Sequence, residues 1–212
     1  EIHKKLSANQ AWMDKAYFYT VDEPQTEAQM KQVTEDGRRL SKLFPGYNLV
    51  CPYFVNLEFS GSYDQTEYMS ETVNILCPLS WAYTPANTTV YNTRQMFSNW
   101  AINKYGTAQE RFTGYELTGH KNWWYICVVP HYPYANFFGN YQGVLTRVLF
   151  WQQFDYSIEG ILYWSVNYWR GGAEWREMYN DFEYGDGLLL YCGKKYNIDG
   201  PIRSLRLELI RD

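Results

Sequence analysis

Two carboxylates stand side by side at Asp22-Glu23-Pro24, directly after the β-branched and aromatic run Ala16-Tyr17-Phe18-Tyr19-Thr20-Val21. Such a run reads as a buried strand, and Pro24 marks where it breaks. Consecutive strand residues point to opposite faces, so neighbouring carboxylates reach one pocket only where a strand opens into a loop. A negative Asp beside a Glu raises the pKa of the Glu, which suits a general acid that must stay protonated near neutral pH. The same three residues also fit the entry to a helix, where carboxylates favour the positive end of the dipole. The surrounding elements must decide between the two.

A helix is predicted directly afterwards. Thr26-Glu27-Ala28-Gln29 fits a capping box, Ala28, Val33, Leu40 and Leu43 supply an apolar face, and Pro45-Gly46 ends it. Further apolar runs follow at Leu49-Val50-Cys51-Pro52-Tyr53-Phe54-Val55, at Val73-Asn74-Ile75-Leu76-Cys77-Pro78-Leu79, at 123–129 before Pro130, and at Gly160-Ile161-Leu162-Tyr163-Trp164-Ser165-Val166-Asn167. With the first run they make five predicted strands. Helices are predicted over 92–104 and 142–156, a long polar loop over 58–70, a short extra strand at 188–191 and a closing helix over 202–210. Strands alternating with helices argue for a parallel α/β architecture. No Gly-rich phosphate loop follows any strand, which weakens a nucleotide-binding version. A parallel barrel closes with eight strands, so in a barrel these five would be its later units.

Composition narrows the chemistry. A formal net charge of −4 without a Lys/Arg cluster leaves no electrostatic footprint for nucleic acid. No apolar run approaches the roughly 20 residues that cross a bilayer. The four cysteines have no C-x-x-C spacing, and Cys51, Cys77 and Cys127 sit in apolar runs as small buried hydrophobes do. The three His residues do not complete a zinc set, and no metal or cofactor is predicted. Aromatic residues make up 19% of the chain, including 9 Trp and 21 Tyr. Their flat apolar faces and polar tips suit sugars, which have an apolar C–H face and a rim of hydroxyls; they also fill cores.

The run Tyr17-Phe18-Tyr19-Thr20-Val21-Asp22-Glu23-Pro24 resembles the strand-end motif of the glycoside hydrolase family 123 catalytic domain. The same family is resembled, in order, by Trp123-Trp124-Tyr125-Ile126-Cys127, by the 160–167 run, by Gly185-Asp186-Gly187-Leu188-Leu189-Leu190-Tyr191 and by the ending Ser204-Leu205-Arg206-Leu207-Glu208-Leu209-Ile210-Arg211-Asp212. The resemblance implies a (β/α)8 TIM-type barrel in which residues 1–212 cover strands four to eight, without the first three units and the final helix, so that the missing N-terminal half of the same barrel is a required partner. It implies a β-N-acetylgalactosaminidase acting by a substrate-assisted retaining mechanism. Asp22 would orient the 2-acetamido group and Glu23 would serve as acid and then base, in a piece inactive by itself.

Lesser candidates follow from strand ends. Trp164 could form an aromatic floor under the sugar, Tyr125 could bond the acetamido carbonyl, and Trp124 could pack on its methyl group. Only one of these last two neighbours can face inward. Asn167, Trp169, Trp81 and His131 are placed for hydroxyl or second-sugar contacts. Two other readings stay open: a non-catalytic carbohydrate-binding module derived from such a barrel, and a glycosidase of non-acetylated sugars that recruits another carboxylate such as Glu58. A glycan substrate points outside the cytoplasm, towards a secreted or periplasmic setting.

Overall fold

The computed structural model describes residues 1–53, 71–83, 120–156, 158–169 and 184–212. The helix expected over 92–104, the loop over 58–70 and Glu58 lie outside them. The chain divides into two compact units, Glu1–Trp124 and Tyr125–Asp212. It is a mixed α/β protein with a sheet whose strands run in chain order, β1-β2-β3-β4-β5.

In the first unit, helices α1 (Ile2–Ser7) and α2 (Gln10–Met13) precede β1 (Phe18–Tyr19), α3 (Glu27–Leu43), β2 (Leu49–Tyr53), β3 (Ile75–Pro78), a 3-10 turn at Ser80–Tyr83 and β4 (Lys121–Ile126). β1 pairs with β2, β2 with β3 and β3 with β4, all parallel. Every residue of β2 and β3 is buried, as expected for central parallel strands. Met30 and Val33 of α3 are fully buried too. The helix runs so close to the segment before β3 that a Cβ on Gly37 would lie 2.4 Å from Thr72 Cβ.

Two asparagines lock the strand starts. Asn48 donates through Nδ2 to the Ala16 carbonyl at 2.9 Å, and its own carbonyl accepts from Phe18 N–H at 2.7 Å. Asn74 accepts from Leu49 N–H at 2.7 Å, donates to the Tyr47 carbonyl at 2.9 Å, and its carbonyl accepts from Lys121 N–H at 2.7 Å. β1, β2, β3 and β4 thus start in register. Tyr17 and Trp123 meet edge to face with ring centroids 5.4 Å apart, although β2 and β3 lie between their strands. Strands spaced by about 4.8 Å would separate β1 from β4 by roughly 14 Å in a flat sheet. The contact therefore requires this part of the sheet to curl towards the Tyr17 face.

The first strand is shorter and wetter than its sequence suggests. Only Phe18–Tyr19 pairs, and Tyr17 and Tyr19 are 50% and 43% exposed. β1 stands first in the sheet order, so its hydrophobic content is not matched by neighbours on both edges.

The second unit holds the end of β4, helix α4 (Gly143–Asp155), β5 (Gly160–Tyr163), the antiparallel pair β6 (Leu190–Cys192) and β7 (Pro201–Arg203), and helix α5 (Leu205–Arg211). The expected closing helix begins later than 202. Ser204 caps it, its hydroxyl accepting from Leu207 N–H at 3.2 Å, and the preceding residues pair with β6 instead. α4 packs on α5, and Arg147 pairs with Asp212 at 2.7 Å. No helix among the described residues is long and apolar enough to cross a membrane.

The α3 start carries the capping box read from the sequence. Thr26 Oγ1 accepts from Gln29 N–H at 3.2 Å, while Gln29 Oε1 accepts from Thr26 N–H at 3.1 Å and from Gln25 N–H at 2.7 Å. Thr26→Ala removes one half of this exchange and is expected to cost about 1 kcal/mol. A urea titration that leaves the unfolding midpoint where it was would show that the cap adds nothing.

Candidate active site

The chain leaves β1 and bends at Asp22 and Glu23 before α3 begins. Glu23 has φ +42, the left-handed region that L side chains other than Asn and Asp rarely adopt. A non-glycine residue held there carries backbone strain, of order 1–3 kcal/mol, and such strain collects at functional sites. It also ends the strict alternation of the strand, the condition for two neighbouring carboxylates to serve one pocket. The bend is held from the far side. Gln25 donates through Nε2 to the Glu23 carbonyl at 3.0 Å, Pro24 is buried, and the capping box fixes the next two residues.

Asp22 is exposed but not loose. The Tyr19 hydroxyl donates to its Oδ1 in a short hydrogen bond. Burial of the phenol, then the bond to Asp22 and the charge of that carboxylate, push the Tyr19 pKa up. Tyr19 therefore stays a protonated donor at working pH. A carboxylate fixed on one oxygen keeps the other for a ligand donor. Sequence reasoning placed Tyr19 in the strand and gave it no task; the i, i+3 spacing of Tyr19 and Asp22 at a strand end was the available signal.

The thiols nearby supply no nucleophile. Cys51 and Cys77 are buried in β2 and β3, and burial pushes both thiols far up. Both behave as the small hydrophobes expected. Cys127 and Cys192 are half-buried, and no disulfide is formed among the described residues.

The other candidates divide between the units. In the first, Trp81 lies half-buried on the 3-10 turn that follows β3. In β4, Trp124 shares a face with Asn122 and Ile126, whereas Tyr125 shares the Trp123 face, by strand alternation. Trp124 is 1% and Tyr125 3% exposed.

In the second unit, His131 is exposed on the segment after β4 and stacks on Phe138 with centroids 6.0 Å apart. Trp164 stands one residue past β5 and is 38% exposed, its Nε1–H donated to Asp186 Oδ2 at 2.9 Å. Asn167 is exposed and bridges to Leu188. Trp169 is 36% exposed and donates its Nε1–H to the Leu190 carbonyl at 2.8 Å. Both indoles thus spend their N–H groups on the protein while more than a third of each residue's surface stays exposed. No group of three or more His, Cys, Asp or Glu residues among those described could hold a metal ion.

The family model of the glycoside hydrolase 123 catalytic domain matches residues 2–212. The chain belongs to glycoside hydrolase family 123. Among solved structures it is similar to a family 123 glycoside hydrolase from Clostridium perfringens, studied for glycolipid glycan hydrolysis, with a TM-score of 0.60 and 15% identity. That likeness covers 99% of this chain and 31% of the other, so the chain spans about a third of the length of that neighbour. At this identity the likeness speaks for the fold. No curated protein matches the chain.

For this family 123 chain, Tyr19→Phe deletes the donor to Asp22 and leaves the ring. Assayed as a glycosidase, the variant is expected to show kcat/KM lowered about tenfold, the scale of one hydrogen bond to a charged group. An unchanged kcat/KM in a variant with the wild-type unfolding midpoint would show that the tie to Asp22 does not matter for turnover.

Proposed function

We propose that the chain carries the catalytic pair of a glycosidase that cleaves β-linked N-acetylhexosamine, N-acetylgalactosamine first, by a substrate-assisted retaining mechanism. Membership of glycoside hydrolase family 123 supports the reaction class. The observation that supports the mechanism is the Tyr19–Asp22–Glu23 arrangement, with one carboxylate tethered on Oδ1 and the next residue in a left-handed bend.

Retaining enzymes with a protein nucleophile set two carboxyls about 5–5.5 Å apart on opposite sides of the sugar, and inverting ones set them further apart. Adjacent residues suit a different division of labour. The substrate's own acetamido oxygen attacks the anomeric carbon while the bond to the leaving oxygen breaks. Glu23 gives its proton to that oxygen, and later takes one from the water that opens the cyclised intermediate. Asp22, held by Tyr19, accepts the acetamido N–H with its second oxygen and stabilises the positive charge that develops on the ring. No protein nucleophile forms a bond to sugar, in keeping with the neutral, buried thiols of Cys51 and Cys77.

In this reading β1 to β5 are the fourth to eighth strands of a (β/α)8 barrel, with the pair at the C-terminal end of the fourth, where barrel enzymes place their chemistry. The chain-order sheet and its curl towards the Tyr17 face support that placement. Trp164, Trp169, Asn167, Trp81 and His131 are the residues assigned to sugar rings or hydroxyls. Tyr125 serves the acetamido carbonyl. Trp124, on the opposite face of β4, is the alternative for the methyl group; both side chains are buried, Trp124 1% and Tyr125 3% exposed, and each must be uncovered to touch sugar.

The test is hydrolysis of aryl β-N-acetylgalactosaminide and β-N-acetylglucosaminide by the full-length polypeptide and by the 212-residue chain side by side. Glu23→Gln is expected to lower kcat by about 10²–10⁴, the usual worth of a positioned acid–base. Near-normal turnover by a folded Glu23→Gln variant removes the assignment. Asp22→Asn is expected to harm N-acetylated substrates more than their non-acetylated counterparts, and equal losses defeat substrate assistance. Thiazoline mimics of the cyclised intermediate are expected to inhibit well below the substrate KM. A full-length protein that binds acetylated glycans without cleaving them would be a binding module.

A further inference from the structure

The Gly185-Asp186-Gly187 turn has no part in the chemistry above, yet it holds the most buried carboxylate among those described in the second unit. Asp186 is 1% exposed. Its Oδ2 accepts from Trp164 Nε1–H at 2.9 Å, and its Oδ1 accepts from the Tyr163 hydroxyl at 2.9 Å. Tyr163 in turn accepts from Gly187 N–H at 2.6 Å, which closes a ring of bonds between the end of β5 and the turn. Burial pushes the Asp186 pKa up, while its donors and the nearby Arg206 charge pull the other way.

Each glycine has a task on either side. Gly187 has φ +72, and a Cβ there would lie 2.5 Å from Trp164 Cζ2, so the indole rests directly on the turn. Gly185 has φ +72, and a Cβ there would lie 3.0 Å from the Arg206 guanidinium. That buried guanidinium donates to the carbonyls of Phe137, Gly185 and Leu188. Opposite the turn, Tyr168 abuts Trp164 edge to face at 4.7 Å and donates its N–H to the Gly187 carbonyl at 3.0 Å. Leu189 and Leu190 N–H groups both donate to the Val166 carbonyl, at 2.9 and 2.7 Å. Trp164 is thus fixed at its N–H, along its six-membered ring and at its Tyr168 contact, and remains 38% exposed.

We propose that Asp186 is a positioning residue for carbohydrate recognition: its carboxylate, with Gly187 beneath, locks the exposed Trp164 indole as a rigid platform for the apolar face of a sugar ring. An unlocked exposed indole must lose rotamer freedom on each binding event; a locked one has lost it on folding. The role differs from a catalytic one because Asp186 is covered and touches the sugar only through Trp164. This inference rests on the glycosidase reading for its substrate, but not for the locking itself.

Four variants of the full-length polypeptide test it. Asp186→Ala removes both acceptors. Asp186→Asn keeps one carbonyl oxygen for Trp164 and can donate to the Tyr163 oxygen, so it is the rescue. Trp164→Phe loses the N–H at an exposed position where folding is least at risk, and Trp164→Ala removes the platform. The near-UV circular dichroism band lost in Trp164→Phe reports the locked indole. The KM for the aryl β-N-acetylhexosaminide reports the platform.

Asp186→Ala is expected to lose that band and to raise KM about tenfold with a smaller change in kcat, the scale of one charge-assisted hydrogen bond. Asp186→Asn should keep the band and most of the affinity, and Trp164→Ala should raise KM at least as far as Asp186→Ala. Retention of the band or of the wild-type KM by a folded Asp186→Ala overturns the proposal. Should Asp186→Ala fail to fold, Trp164→Phe and Trp164→Ala decide, and an unchanged KM in both overturns it. A wild-type protein that cleaves neither substrate, while the band still vanishes in Asp186→Ala and survives in Asp186→Asn, defeats the glycosidase reading and leaves the locking intact.

Discussion

A strand sends neighbouring side chains to opposite faces, and a pair of adjacent carboxylates can work together only if the backbone abandons that rule at the pair itself. Here the departure is localised at Glu23, whose φ of +42 turns the chain four residues past the end of β1. A residue in that region returns to ordinary geometry unless both sides hold it. Tyr19 pins Asp22 on the strand side, and Gln25, Pro24 and the Thr26–Gln29 capping box hold the helix side. The asparagines at the strand starts then matter, because the bend is only as well placed as β1, and β1 is registered by Asn48 and by pairing with β2.

The second unit shows a related economy. Trp164 and Trp169 each follow β5 and each spend their indole N–H on a protein acceptor, Asp186 in one case and the Leu190 carbonyl in the other. A Trp used as a hydrogen-bond donor to ligand would keep that group available. Partly exposed rings with occupied N–H groups suit apolar C–H surfaces. Arg206, buried and donating to the carbonyls of Gly185 and Leu188 and of Phe137 elsewhere in the unit, fixes the base on which this arrangement stands, and its charge works against the burial of Asp186.

Much of this was legible in the sequence, and the reasons differ by element. The five strands were readable because central parallel strands are continuous apolar runs, and β2 and β3 are buried throughout. The capping box of α3 was readable because it depends on side chains three residues apart, Thr26 and Gln29. The length of β1 was not, since pairing depends on neighbours that a single run does not reveal. Nor was the start of α5, where Ser204 competes with an apolar pattern that continues back through Ile202. Asp22 and Glu23 stood out by type and position, whereas Tyr19 and Asp186 act through geometry. Asp186 reaches residues 22 and 23 positions earlier in the chain, a separation at which no periodicity operates.

Asp22 and Asp186 differ sharply in exposure, and the difference follows from what each must meet. Asp22 is at the surface with one oxygen tied by Tyr19; a group that meets a ligand donor must have a free oxygen and a path to it. Asp186 is covered, with one oxygen given to Trp164 and the other to Tyr163; a group that orients another side chain gains from exclusion of water, because its hydrogen bonds then have no competitor. Burial makes the ionised carboxylate costly and prevails in raising its pKa, while the Trp164, Tyr163 and Gly187 donors and the Arg206 charge offset only part of that cost. Removing a single donor is thus more disruptive than its own bond would suggest, since the remaining charge is left under-compensated in a dry place.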